Sequence, residues 1–287
     1  MKRTFGLLLA LITLTLASSS CSFFRSAGIQ SRRHVLPDQR ISIEEVYSSR
    51  NHLGIYGRLY RPVGVKGRLP LVILSHGFGV THRDGERYAE LLTRMGYLCY
   101  TFDFNGGGRE SLSAGATTDM SVLTEQADLN AVIDQLKRRS DVDPRYITLL
   151  GLSQGGLVSA LTAASRPDDI ASLILIYPAF SIPEMVRKQW GEYRKIPLEN
   201  TLWGMRLGEK YYKDVWNIDP YAVIGRFQGP VLILHGDRDR IVEQSVSDRA
   251  ATIYKNAEYH VISGGEHGFS GEAFQQVKRY IQTFMKR

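Results

Sequence analysis

Short, almost uninterrupted apolar runs alternate along this chain with stretches of helical period, and that alternation limits its fold more than any other feature. The runs "LPLVILSHG", "YLCYTFDF", "YITLLGLS", "ASLILIYP", "PVLILHGD" and "AEYHVIS" are rich in β-branched and aromatic residues and have the length of strands. Between them lie "DGERYAELLTRMG", "MSVLTEQADLNAVIDQLKRR" and "FQQVKRYIQTFM", the second of which sets Val122, Ala127, Leu129, Val132, Ile133 and Leu136 largely on one side of a helix. Strands that are apolar on both faces need helices over both faces. The expectation is therefore an α/β protein with a mostly parallel, doubly wound sheet. "ISIEEVYS" and "LGIYGRLYRP", joined by the turn "SRNH", add two N-terminal strands. No Pro/Gly/Ser-rich linker divides the middle of the 287 residues and no internal period repeats, so one domain is expected over 41–287.

The N-terminus has a different character. "MKRTFGLLLALITLTLASSSC" carries Lys2 and Arg3, then an apolar run too short to span a membrane comfortably, then small residues. Residues 1–20 read as an export signal and 21–40 as a linker. The small residues followed by Cys21 resemble the lipid-attachment site of bacterial lipoproteins, with Ser18 where those sites usually carry an aliphatic residue. Cleavage there makes the mature chain an exported envelope or secreted protein, touching a membrane only through a lipid on Cys21. It also lowers the formal charge of +7 by the two units of Lys2 and Arg3. The remaining basic residues are dispersed and form no stripe for nucleic acid. Cys99, in the apolar run "YLCYTFDF", is then the sole remaining cysteine and is read as a buried, inert thiol.

One turn carries chemistry. In "YITLLGLSQGG", Gly151 and Gly155 flank Ser153 where a strand passes into a helix. That is the context of a nucleophile elbow, in which a sharp turn lifts a hydroxyl above the sheet. A serine hydroxyl needs a base, and in this architecture an acid and then a histidine follow it in the chain. Of the histidines downstream of the late strand, His260 lies within "AEYHVIS", whereas His267 lies in the loop "SGGEHGFSG"; His267 is the expected base. The acid comes from "VLILHGDRDRIV", where spacing leaves Asp237 and Asp239 equally eligible. Two backbone N–H groups should bind the oxyanion: that of Gln154, after the serine, and that of Phe78 in "LSHGFGVT". His76 is read as a brace for that loop.

From about residue 41 to the C-terminus the sequence resembles the α/β-hydrolase superfamily, since "HGFG", "GLSQGG", "HGDRDRIV" and "GGEHGF" occur in the order of that family. The resemblance implies the α/β-hydrolase fold and selects Asp239 as the acid. "FDFNGGGRES", "LSQGG" and "EHGF" are similar to bacterial cinnamoyl or feruloyl esterases, from which Gly107 and Leu152 depart. The segment at about 179–229 is longer than a crossover requires and holds Trp190, Trp203 and Trp216 with Tyr193, Tyr211 and Tyr212. It is read as a cap over the active site whose aromatics, as a set, supply at least one wall of the pocket. By the resemblance, polar cap residues contact a phenolic hydroxyl, with Glu184 or Tyr193 as candidates; Trp190 is an aromatic candidate beside them.

These readings converge on an exported serine carboxylesterase acting on a small-molecule ester through an acyl-enzyme, cinnamoyl or feruloyl esters included. Neither a metal nor an organic cofactor is expected. Two alternatives share the scaffold. A serine peptidase or amidase would need a cap carboxylate such as Glu184, Glu192 or Glu199 to hold a free amine. A catalytically inactive binding protein would leave Ser153 unreactive.

Overall fold

In the computed structural model, residues 33–35 and 40–286 are described. The proposed signal, Cys21 and most of the proposed linker lie outside them.

Among the described residues, nine strands build one sheet: β1 (Arg33–Val35), β2 (Ile41–Arg50), β3 (Leu53–Pro62), β4 (Leu69–Ser75), β5 (Leu98–Phe102), β6 (Val142–Leu152), β7 (Ser172–Ile176), β10 (Val231–Gly236) and β11 (Ala257–Ile262), in the order β1-β2-β3-β5-β4-β6-β7-β10-β11. From β5 to β11 every pairing is parallel; β1, β2 and β3 join antiparallel. This is the α/β-hydrolase fold that the sequence led us to expect. The first hairpin turns tightly at Asn51 and His52, both at positive φ (47° and 69°). One element departs from expectation. Arg33–Val35 falls in the segment read as linker, yet it pairs with Ser42–Glu44 and covers the outer edge of β2.

Alternation along the central strands explains the two-sided core. Leu71 and Ile73 of β4 join one buried cluster and Val72 and Leu74 the other; β7 divides in the same way between Leu173 and Leu175 on one face and Ile174 and Ile176 on the other. The first face is covered by α2 (Val122–Leu136), α3 (Gln154–Ser165) and α6 (Gln244–Ile253), and the second by α1 (Glu86–Thr93) and α7 (Gly271–Phe284). Ser121 caps α2 by accepting the Thr124 N–H at 3.2 Å, while Thr124 Oγ1 accepts the Ser121 N–H at 2.8 Å. That reciprocal cap fixes where the helix begins.

Parallel strands direct their C-terminal ends to one rim, where the loops after β4, β6 and β10 meet. Above this rim lies the inserted segment. It contains α4 (Ile182–Trp190), a hairpin of β8 (Glu199–Leu202) and β9 (Met205–Gly208), and α5 (Glu209–Lys213).

The rim depends on one close approach. A Cβ on Gly155 would lie 2.3 Å from the Ser75 carbonyl oxygen and 2.4 Å from that of His76, so α3 can pack its first turn against the end of β4 only with glycine there. Gly155→Ala is expected to destabilise the protein by roughly 2–4 kcal/mol in urea unfolding. Gly54→Ala, where a Cβ meets nothing within 4 Å, should change stability by less than about 0.5 kcal/mol. Equal effects of the two would refute the packing argument.

Candidate active site

Ser153 sits between β6 and α3 with φ 52° and ψ −116°, a backbone conformation that L side chains rarely adopt. Several bonds hold it there. Its N–H donates to the Ile176 carbonyl at 3.0 Å, and its carbonyl accepts from the N–H groups of Gly156 (2.9 Å) and Ala179 (2.9 Å). A Cβ on Gly151 would lie 2.3 Å from the Gly155 carbonyl oxygen, which is why glycine precedes the serine as well as following it. Strain of this kind persists only where the surroundings over-determine it.

Three side chains from separate loops converge here. His267 Nε2 lies 3.0 Å from Ser153 Oγ, and His267 Nδ1 lies 2.7 Å from Asp239 Oδ2. Burial by itself pushes the Asp239 carboxyl up. His235, with Nε2 3.5 Å from Oδ2, and His267 outweigh that effect, together with the N–H groups of Val242 and Ile241 donating to Oδ1 at 3.0 and 2.8 Å. The carboxyl is thus held well below its ordinary range and remains an acceptor. His267 must then carry its proton on Nδ1, which leaves Nε2 free to accept from the serine hydroxyl. Tyr177, itself at φ 38°, packs its ring 4.3 Å from the imidazole.

Asp237 and Asp239, equivalent by spacing, are separated by position. Asp237 Oδ1 accepts the Gly264 N–H at 2.8 Å and so fastens the loop that carries His267. His260 stays in β11, stacked 3.7 Å from the Tyr280 ring, with Nε2 2.8 Å from Glu258. His76 is buried; its Nε2 accepts the Phe104 N–H at 3.1 Å and its Nδ1–H donates to the Gly77 carbonyl at 2.7 Å. Burial lowers its pKa. It braces the loop as a neutral ring.

That loop brings Phe78 beside Ser153. Among the described residues, neither the Phe78 N–H nor the Gln154 N–H donates to a protein acceptor. For Gln154 this follows from its place at the start of α3, whose first N–H groups have no partner within the helix.

A cavity of about 70 Å³ opens beside the serine, with Phe78, Met185, Trp203, Tyr211, Tyr212 and Val242 among its walls. Among the described residues, no carboxylate lines it. The inserted segment therefore does contribute aromatic walls, but the side chains singled out for substrate contact are elsewhere. Glu184 lines a separate cleft with Arg187, Asp219 and Arg249. Trp190 packs edge-to-face on Tyr212 at 5.5 Å, and the exposed Tyr193 packs on Trp216 at 5.8 Å with the Lys213 ammonium 5.4 Å from its ring. The cause is helical phase. Ile182, Met185, Val186 and Gln189 form the stripe of α4 that faces the serine, which excludes positions 184 and 190. That stripe was present in the sequence as an i, i+3, i+4, i+7 pattern and would have identified the wall. The other candidate carboxylates are also occupied away from the cavity: Glu192 bonds Arg194 and Lys195, each at 2.7 Å, and Glu199 lies 3.5 Å from Arg206.

Residues 68–215, just over half of the chain, match the family model described as serine aminopeptidase, S33. The chain is an α/β-hydrolase of that family. Human monoglyceride lipase is 23% identical to it over 269 residues, covering 79% of this chain and 86% of the lipase. The mouse enzyme of the same name is 26% identical over 250 residues, covering 72% and 80%. Among solved structures, Est1E from Butyrivibrio proteoclasticus with ferulic acid bound superposes with a TM-score of 0.77 at 28% identity, covering 84% of this chain and all of that one. An esterase from Pyrococcus furiosus, 21% identical with a TM-score of 0.64 over 85% of this chain and 91% of that one, shares the fold. The family match makes this α/β-hydrolase a hydrolase.

The depressed Asp239 carboxyl ties the site to stability. A group whose pKa falls on folding stabilises the native state above its unfolded value of about 3.9 and loses that contribution as pH drops towards the folded value. In the α/β-hydrolase, the melting-temperature gap between wild type and Asp239→Asn should be widest near neutrality and close below about pH 4. A gap unchanged down to about pH 3 would show that the carboxylate is not held as described.

Proposed function

We propose that this protein is a serine carboxylesterase that hydrolyses carboxylic esters through an acyl-enzyme. The observation that carries the reading is the unbroken path from Ser153 Oγ to His267 Nε2 at 3.0 Å and from His267 Nδ1 to Asp239 at 2.7 Å. Ser153 attacks the ester carbonyl while its proton passes to Nε2, and the imidazolium formed is stabilised by Asp239, which stays ionised. The Phe78 and Gln154 N–H groups bind the oxyanion, each of a kind worth about 10²- to 10³-fold in rate. Nε2 returns the proton to the departing alcohol. Water, deprotonated by the same nitrogen, then attacks the acyl carbonyl and releases the acid and the free serine.

The acyl group fits an apolar and aromatic wall, and among the described residues the carboxylate that an aminopeptidase would need for a free amine does not line the cavity. At about 70 Å³ the cavity has room for roughly two waters, so short acyl groups enter as the walls stand and a larger aryl acyl group displaces side chains such as Met185 or Trp203. Ferulate esters belong to the proposal on the strength of the likeness to Est1E, whose structure holds ferulic acid.

Ser153→Ala should lower turnover of p-nitrophenyl butyrate by about 10⁴-fold or more and abolish labelling by a fluorophosphonate, with the melting temperature unchanged. Butyryl ester and methyl ferulate should be hydrolysed in preference to an aminoacyl anilide. An unlabelled, folded wild type would favour the binding-protein reading, and a preference for the anilide the peptidase one.

Export, with a lipid on Cys21, is the second part of the proposal and rests on Lys2, Arg3, the apolar run and the small residues before the cysteine. Expressed in a bacterium, the wild type should partition with membranes and Cys21→Ser with the soluble fraction. Identical partitioning would refute lipidation.

A further inference from the structure

Beneath the proposed oxyanion site runs a buried polar chain that the mechanism above does not use. The Tyr211 hydroxyl donates to Gln154 Oε1 at 2.8 Å, and Gln154 Nε2 donates to Glu125 Oε2 at 2.8 Å. All three residues are buried: Glu125 at 0% exposure, Gln154 at 1% and Tyr211 at 4%. They come from three elements, α2, the start of α3, and α5 of the inserted segment. Leucine and phenylalanine side chains would fill the same volume with no polar group to desolvate, so the chain is a costly arrangement in an otherwise apolar cluster. With the amide oriented this way its oxygen accepts from the tyrosine and its nitrogen donates to Glu125. Burial raises the Glu125 carboxyl well above its ordinary value, and its Oε1 has no partner among the described residues. Burial thus favours the neutral form of Glu125, whose Oε2 receives the amide.

Gln154 is the residue whose backbone N–H follows the strained serine. Both polar ends of its side chain are pinned, which fixes the residue against rotation just where the turn stores strain. Tyr211 also touches the residue of the second proposed donor, its ring lying 5.6 Å from that of Phe78. One tyrosine of the inserted segment thus contacts both residues that would supply the oxyanion donors.

We propose that Glu125 and Tyr211 are positioning residues that act through Gln154 and hold its N–H in line for the oxyanion, so that docking of the inserted segment and assembly of the oxyanion site are a single event; this rests on the esterase reading above.

Tyr211→Phe removes only the hydroxyl and keeps the ring against Phe78, which makes it the decisive variant. With p-nitrophenyl butyrate its kcat should fall about tenfold while KM stays within about twofold, the signature of an interaction needed in the transition state rather than for binding. Glu125→Ala should show the same split. Glu125→Gln, isosteric with the neutral acid and able to accept the same amide, should recover most of that loss. The double variant Tyr211→Phe/Glu125→Ala should lose clearly less than the product of the single losses, because both act through one amide. Melting curves accompany each variant, and Tyr211→Phe keeps the test open if Glu125→Ala does not fold. A Tyr211→Phe enzyme with wild-type kcat, or with KM alone raised, overturns the inference and reduces Tyr211 to a pocket wall. A folded Glu125→Gln as impaired as Glu125→Ala overturns it too. Ser153→Ala separates the two levels: if that variant is inactive and Tyr211→Phe keeps wild-type kcat, this inference alone fails, and if Ser153→Ala keeps wild-type turnover, both fall.

Discussion

The positive-φ backbone at Ser153 is the constraint from which the rest of the rim follows. At φ 52° the serine cannot continue β6 and cannot yet belong to α3, so the chain must turn abruptly, and only glycine fits at 151 and 155, where a Cβ would lie 2.3 Å from a carbonyl oxygen. Strain of this order costs about 1–3 kcal/mol and would relax if it were not held. It is held by the sheet itself. The serine N–H is bonded to the end of β7, and its carbonyl is bonded by the N–H of Ala179 at the point where the inserted segment begins. The hydroxyl, the free N–H groups of the helix start and the root of the insertion therefore share one rigid corner.

The acid and the base are attached differently. Asp239 is locked by four hydrogen-bonding groups on two sides, whereas His267 rides on a loop fastened by Asp237 and bounded by Gly264 and Gly268, both at positive φ. An immovable acceptor beneath a ring on a shaped loop suits the part proposed for His267, which would serve both the serine and a departing alcohol. His235, buried beside Asp239 and hydrogen-bonded to Ser247 and Val242, completes the support from within the strand.

Much of this arrangement was legible in the sequence because it is written in local rules. Central strands that are buried on both sides must be apolar without alternation, and a serine between glycines at a strand-to-helix junction marks a sharp turn that exposes its hydroxyl. The choice between His260 and His267 followed from strand against loop. The choice between Asp237 and Asp239 did not follow from the residues, since both sit past the end of one strand and only the direction of the loop in space distinguishes them. The cap aromatics line the cavity as expected, but Glu184, Trp190 and Tyr193 do not, for a related reason. Composition identified the inserted segment as aromatic, but which aromatics face the serine depends on the phase of α4 and on the two-residue turn at Trp203 and Gly204, both at positive φ. Glu125 escaped notice altogether. In the sequence it is one more acid on an amphipathic helix, and nothing local records that its partner arrives from a residue 29 positions later.

The upward shift of Glu125 bears on why such a residue is tolerable so near Ser153. In the proposed reaction an ionised carboxylate there, one side chain removed from the Gln154 N–H, would oppose negative charge on the substrate oxygen, and in a dry interior that opposition is strong. Burial raises the carboxyl and favours its neutral form, which keeps the capacity to accept the amide without that repulsion. Asp239 presents the opposite case. It too is buried, but donors surround it and hold its carboxyl low, where in the proposed mechanism its charge would stabilise an imidazolium. Two buried acids at one rim are thus shifted in opposite directions according to the donors each receives, and in the proposed reaction each shift suits the charge that would develop beside it.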